Sequence, residues 1–320
     1  PAAHLRLRAA GAGHPGHTMK LLRTIKPTIT PFELNPGDTL DLTLTTGRRW
    51  HMELVNATAG VVARGFDRYR CRNHAAGDIT VYAFTAVVRI NGREHTLRRE
   101  VGSQASFYEP WLIDGVRLWF DAASCAFKDN GGFMEEKDWQ GGLLCKPFRL
   151  TRWALQQEGL PICPEPLGDW YPNPAGTLDI RNCYTGEDCW MGPYNGGAAH
   201  GGLDINMPAG TILTAPFDLD DHFLYDSLAA GANNNRWLAT RRWADGATWE
   251  IRTSHLIDMI TPERTPLARG TPYATTAGTF VGYHEHTHFV WRVFEQGGTY
   301  FLDPWILMHE IWAQRPTQAG

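Results

Sequence analysis

A mainly β chain is the architecture the sequence predicts, with an antiparallel, sandwich-like unit over residues 25–127 and a second antiparallel sheet unit over residues 175–315. Three observations predict it. Leu40, Leu42 and Leu44 alternate with polar residues, the period-2 pattern of a half-buried strand. Asn91-Gly92 and Asp114-Gly115 each interrupt runs rich in β-branched and aromatic residues. The segment from His284 to Val293 places apolar and histidine side chains on opposite sides of one extended run.

Each element follows in chain order. Residues 1–24 read as a leader or disordered tail, and Pro1 to His17 lack any apolar h-region. Either a secretory signal has been removed or the chain is a fragment, and Met19 could be an internal start behind an added leader. Asn35-Pro36-Gly37-Asp38 is a turn ahead of the leucine alternation. Val81 to Ile90 is a strand, and Asn91-Gly92 suits a type I′ hairpin because both central residues tolerate positive φ. Asp114-Gly115 repeats that signal before Val116 to Phe120. Trp50 and Trp111 read as core rather than as ligand platforms. Residues 128–174 are rich in Pro and Gly and read as a connector, with a short helix expected over Leu150 to Gly159. Residues 316–320 form a tail.

The composition bounds the function. The 320 residues carry a formal net charge of -4 and no long Lys/Arg run, so no electrostatic footprint for nucleic acid is present. No apolar stretch is long enough for a transmembrane helix. The six cysteines, Cys71, Cys125, Cys145, Cys163, Cys183 and Cys189, form no Cys-x-x-Cys pair. Their scattered spacing fits disulfides made in an oxidising compartment, the alternative being buried thiols.

Three histidine motifs carry chemistry. His200-Gly201-Gly202-Leu203-Asp204 offers an imidazole and a carboxylate, both zinc donors. In an extended strand their Cα atoms would stand about 13 Å apart, and the glycine pair permits a bend that closes this gap. The run His284-Glu285-His286-Thr287-His288 sets alternating imidazoles on one face. One can bind a metal while its neighbour, about 7 Å along, reaches water or substrate. Thr253-Ser254-His255-Leu256 adds a further histidine at a strand end. Each motif alone is also compatible with a solvated surface.

In this order, His-x-x-x-Asp, then His-Leu, then His-x-His-Phe, the motifs resemble the lysostaphin/LytM-type zinc metallopeptidases. Pro208-Ala209-Gly210-Thr211, Ala215 and Gly270 extend the likeness, which spans roughly residues 193–294. The resemblance implies one zinc ion per chain bound by His200, Asp204 and His288, with His255 and His286 assisting catalysis in an open groove. It also implies a secreted, periplasmic or cell-surface enzyme that cuts peptide bonds of peptidoglycan. Three protein ligands would leave a fourth zinc position open, as catalytic sites do. The chain departs from the family pattern at Thr253, where a Tyr is usual, and at Val290, where Glu or Gln is common. Phe217 to Asp245 fits poorly, and His284 and Glu285 have no counterpart. Two alternatives stay open: a non-catalytic metal-binding scaffold or activator of the same fold, and a zinc peptidase acting on non-cell-wall peptides.

Overall fold

The computed structural model describes residues 18–65, 79–101, 109–123, 150–172, 193–194, 198–199, 202–226, 234–277 and 286–314. The first half builds two facing sheets. One has five strands in the order β1 (Lys20–Thr24), β3 (Thr39–Thr43), β4 (Arg49–Gly65), β5 (Ile79–Ile90) and β6 (Arg93–Val101). All neighbours are antiparallel except β1, which runs parallel to β3. The other has four antiparallel strands, ordered β2 (Thr30–Leu34), β9 (Thr151–Gln157), β8 (Val116–Ala123) and β7 (Trp111–Ile113). Both expected hairpin turns form, with positive φ at Asn91 (46°), Gly92 (83°), Asp114 (50°) and Gly115 (75°).

The two sheets share one core. Leu40, Leu42, Trp50, Met52, Phe84 and Val88 from the first meet Leu118, Phe120, Trp153 and Leu155 from the second. Phe120 and Trp153 stack with ring centroids 4.4 Å apart. Each large side chain removed from water in this way contributes about 1.5–3 kcal/mol. Trp50 is fully buried and Trp111 packs against the same cluster, as expected of core residues.

The remainder forms a third, eight-stranded sheet. Two short strands, β10 (Pro193–Tyr194) and β11 (Ala198–Ala199), pair with each other ahead of it. Its path runs β12 (Leu203–Asn206), β18 (His286–Glu295), β16 (Thr248–Met259), β15 (Asn235–Arg242), β14 (Asp221–Asp226). β17 (Pro272–Thr276) pairs with β16 and with β13 (Ile212–Thr214), and β19 (Gly298–Leu302) pairs with β18. One face packs Trp237, Trp249, Phe289, Trp291 and Val293 against a closing helix, α1 (Pro304–Ala313). Asp303 caps that helix by accepting from Trp305 N, and Pro304 occupies its first turn, where a missing N–H costs nothing. No helix among the described residues is long and apolar enough to cross a membrane.

The middle sheet is buried on both sides. Phe120 and Trp153 face the sandwich core, while Trp119 and Ala154 join the core beneath the third sheet. This two-sided burial explains one departure from expectation. Leu150 to Gly159 is strand β9, not a helix, and lies inside the stretch read as a connector. A strand covered on both faces loses its period-2 signature, so a continuous run such as Thr151–Gln157 is ambiguous by pattern alone. Residues 20–24, read as part of a leader, form β1 because β3 offers them a free edge to pair with. α1 was likewise not expected: it is buried nearly all round and shows no amphipathic stripe.

Charged groups lock the middle sheet to the C-terminal half. Asp121 sits at a bulge in β8, where the register shifts between Phe120 and Ala122. Its carboxylate accepts from Arg152 Nε at 2.5 Å and from Asp303 N at 2.8 Å. Arg99 of β6 donates to the Asp121 carbonyl and to the Asp303 carboxylate. All four side chains are buried. Further out, Lys26 pairs with Glu295 at 2.6 Å, and Thr28 Oγ1 donates to Asp245 at 2.7 Å.

Cys163, expected in a disulfide, is a free buried thiol. Its Sγ donates to the Glu165 carbonyl at 3.3 Å, and burial pushes its pKa up to about 12. Cys71, Cys125, Cys145, Cys183 and Cys189 lie outside the described residues.

Candidate metal centre

The third sheet has one apolar and one polar side near the start of β18. Phe289, Trp291 and Val293 are fully buried in the core, and His286 and His288 point the other way. β12 pairs antiparallel to β18 with Asp204 directly opposite His288 and Asn206 opposite His286. Directly opposed side chains share a face, so the carboxylate meets both imidazoles. His288 Nδ1 lies 2.8 Å from Asp204 Oδ1, and His286 Nε2 lies 3.7 Å from Asp204 Oδ2.

His255 reaches the same side by a backbone irregularity. In β16, Trp249, Ile251 and Thr253 face the core, and Ser254 pairs with His288 on the polar side. Simple alternation would send His255 back into the core. Instead the β15 register shifts between Asn235, opposite Leu256, and Trp237, opposite Thr253. Two residues, Ser254 and His255, therefore oppose Arg236 alone, and His255 takes φ 65°. A bulge with its residue in the left-handed region turns the ring outward and restores Leu256 to the core. The His255 ring stands edge-on to His286 at 4.8 Å between centroids and 6.2 Å from His288. Its Nδ1 is 2.8 Å from Asn234 Oδ1.

The position lies where β18 ends and β17 takes over along β16. Ala277 N donates to the His255 carbonyl at 2.8 Å, closing that seam. Asp204, His255 and His286 are buried, whereas His288 keeps part of its ring exposed. Burial raises the Asp204 pKa to about 7 against the opposing pull of His286. Burial, with the neighbouring His286, His288 and Arg236 charges, lowers that of His255 to about 2. Two residues along β18, Val290 is covered, and with Phe301 of β19 it belongs to the sandwich core. The sandwich thus covers the polar side of β18 immediately beyond the histidines.

Gly202 is shaped by the same cluster. A Cβ there would collide with the Phe289 carbonyl oxygen and sit 2.6–2.7 Å from the His288 ring. The glycine pair was expected to supply unusual φ; at Gly202 the requirement is space for the imidazole instead. Gly201 and His200 lie outside the described residues, as do His284 and Glu285. Of the five expected site residues, the structure brings together Asp204, His255, His286 and His288. Asn234 escaped the sequence reading, because three consecutive asparagines, Asn233 to Asn235, look like loop composition.

The buried Asp204 carboxylate beside the His288 imidazole offers two of the donor types that zinc takes, and the space kept clear at Gly202 lets a ring lie directly against the chain. Among the described residues no three His, Cys, Asp or Glu side chains complete a metal-holding group; His200, the remaining expected ligand, is not among them.

No family model and no curated protein matches the chain. Several solved structures are similar to the chain at low identity. The catalytic domain of the antimicrobial peptidase lysostaphin from Staphylococcus simulans is 19% identical, with 37% of this chain and 84% of that one covered and a TM-score of 0.29. Against the longer lysostaphin structure the values are 18%, 48% and 52%, with a TM-score of 0.31, so the chain spans about half of that length. A zinc-containing peptidase from Vibrio cholerae is 10% identical over 86% of this chain and 77% of that one, with a TM-score of 0.26. The chemistry of the site rests on its own side chains.

Proposed function

We propose that the chain is a zinc-dependent metalloendopeptidase that hydrolyses peptide bonds of bacterial peptidoglycan outside the cytoplasm. One zinc ion per chain is held by His200, Asp204 and His288, and His255 and His286 handle protons. The observation that supports this reading is the convergence of Asp204, His255, His286 and His288 from three strands at one seam of the sheet. Such a gathering is costly for core packing, since each polar group must find a partner, and it suits a reaction that needs several proton carriers.

When bound, zinc supplies a Lewis acid for the scissile carbonyl and brings the pKa of water down to about 7. Asp204 and His288 would hold the metal from two strands that the β12–β18 ladder fixes side by side. His286 and His255, edge-on to each other, carry the proton from the attacking water to the departing amine. Val290 and Phe301, covered by the sandwich, bound the region in which substrate can lie.

The test is metal content combined with digestion of purified sacculi. Chelation abolishes hydrolysis and added zinc restores it. His200→Ala loses the metal, while His286→Ala keeps the metal and loses most turnover. A His286→Ala protein with full activity defeats the assignment. Hydrolysis of free peptides with sacculi left intact would place the enzyme on a different substrate.

A further inference from the structure

We infer that Asn234 is a positioning residue that holds His255 in the tautomer carrying its proton on Nδ1. The Asn234 Oδ1 to His255 Nδ1 distance is 2.8 Å, and both side chains are buried. An amide oxygen can only accept, so a neutral imidazole at this distance must donate from Nδ1. Its other ring nitrogen, Nε2, then holds a lone pair. Which nitrogen carries the proton is set by the partner of the other one, and here the partner is a side chain.

Two features make the pairing specific to this fold. The bulge at Ser254 and His255 is what brings the ring to the polar side of the sheet. Asn234 directly precedes β15, whose alternation puts Trp237 and Ala239 in the core. Asn234 therefore falls on the same side as the displaced ring. Without the bulge, His255 would point into the core and Asn234 would lack this imidazole.

The consequence for catalysis rests on the metallopeptidase reading. A neutral His255 with the proton on Nδ1 can accept a proton at Nε2 but cannot donate one from it. In this neutral form His255 is a proton acceptor and becomes a donor only after taking up a proton. An oxyanion contact from neutral His255 Nε2 is excluded.

The experiment is a long-range proton–nitrogen correlation spectrum of the full chain, zinc-free and with nitrogen-15-labelled histidine, with His255 assigned by comparison with His255→Gln. The wild-type ring is expected to carry its proton on Nδ1. Asn234→Ala is expected to move it to Nε2, and Asn234→Asp to return it to Nδ1. On sacculi, Asn234→Ala is expected to lower kcat about 10–100-fold with KM nearly unchanged, and Asn234→Asp to recover most of the loss. A wild-type ring protonated on Nε2 overturns the inference, as does an unchanged ring in Asn234→Ala. Should Asn234→Ala fail to fold, the wild-type and Asn234→Asp spectra decide alone. An Nδ1-protonated ring in a protein without hydrolytic activity leaves the pairing standing and removes the peptidase reading.

Discussion

Ser254 and His255 are consecutive in β16 yet lie on the same side of the sheet, because a bulge with φ 65° at His255 breaks the alternation between them. A histidine held in the left-handed region stores backbone strain, roughly 1–2 kcal/mol. His255→Gly and His255→Ala both delete the imidazole, but only glycine takes this conformation without penalty. His255→Gly is therefore expected to be more stable than His255→Ala by about 1 kcal/mol in urea unfolding. Equal stabilities would mean that the bulge relaxes once the ring is gone.

Gly202 has no room for a methyl group. A Cβ would meet the Phe289 carbonyl and the His288 ring well inside contact distance, and the backbone atom cannot swing away. Gly202→Ala is expected to cost about 1–3 kcal/mol and to weaken zinc retention, because the ring that moves is a proposed ligand. Equilibrium dialysis against zinc, alongside thermal melting, checks both effects; unchanged zinc affinity would separate Gly202 from the site.

The Arg99, Asp121, Arg152 and Asp303 cluster ties β6, β8 and β9 to the cap of α1. Removing one partner leaves buried charge without its complement. Arg99→Met is expected to destabilise the chain by about 3–5 kcal/mol, read from denaturant midpoints. A loss below about 1 kcal/mol would be the size of a surface pair instead.

His222 is fully buried, and its Nδ1 accepts from Trp237 Nε1 at 3.0 Å. Burial lowers its pKa from 6.5. A base whose folded pKa is depressed contributes stability that is complete above its unfolded pKa. That stability is lost as pH falls through about 6.5 toward the folded value. His222→Asn keeps an acceptor and does not titrate there. The stability advantage of wild type over His222→Asn is expected to shrink between pH 7.5 and 5.5, measured by urea midpoints at each pH. An advantage that grows on acidification would reverse the sign of the argument.

Much of the fold is legible in the order of residue types. Leu40, Leu42 and Leu44 are all buried, both dipeptide turns take positive φ, and the apolar and histidine sides of β18 separate as their alternation requires. These features depend on neighbours one or two residues away, and local sterics and the pleat write them into the order of residue types. Asp204, His255, His286 and His288 are nominated by three motifs that are weak singly and gain weight from their order, which resembles the lysostaphin/LytM-type pattern.

Other features needed the assembled chain. The displacement of His255 depends on β15 skipping a residue opposite it, and Asn234 becomes its partner only through that slip. β9 reads ambiguously because one face meets the sandwich and the other meets the third sheet. Cys163 stays a thiol in a packed core, and Val290, two residues from a proposed ligand, is covered by strands distant in sequence. Residue order encodes which side of a strand prefers water; which segment comes to lie against that side is decided by contacts between parts of the chain far apart in sequence.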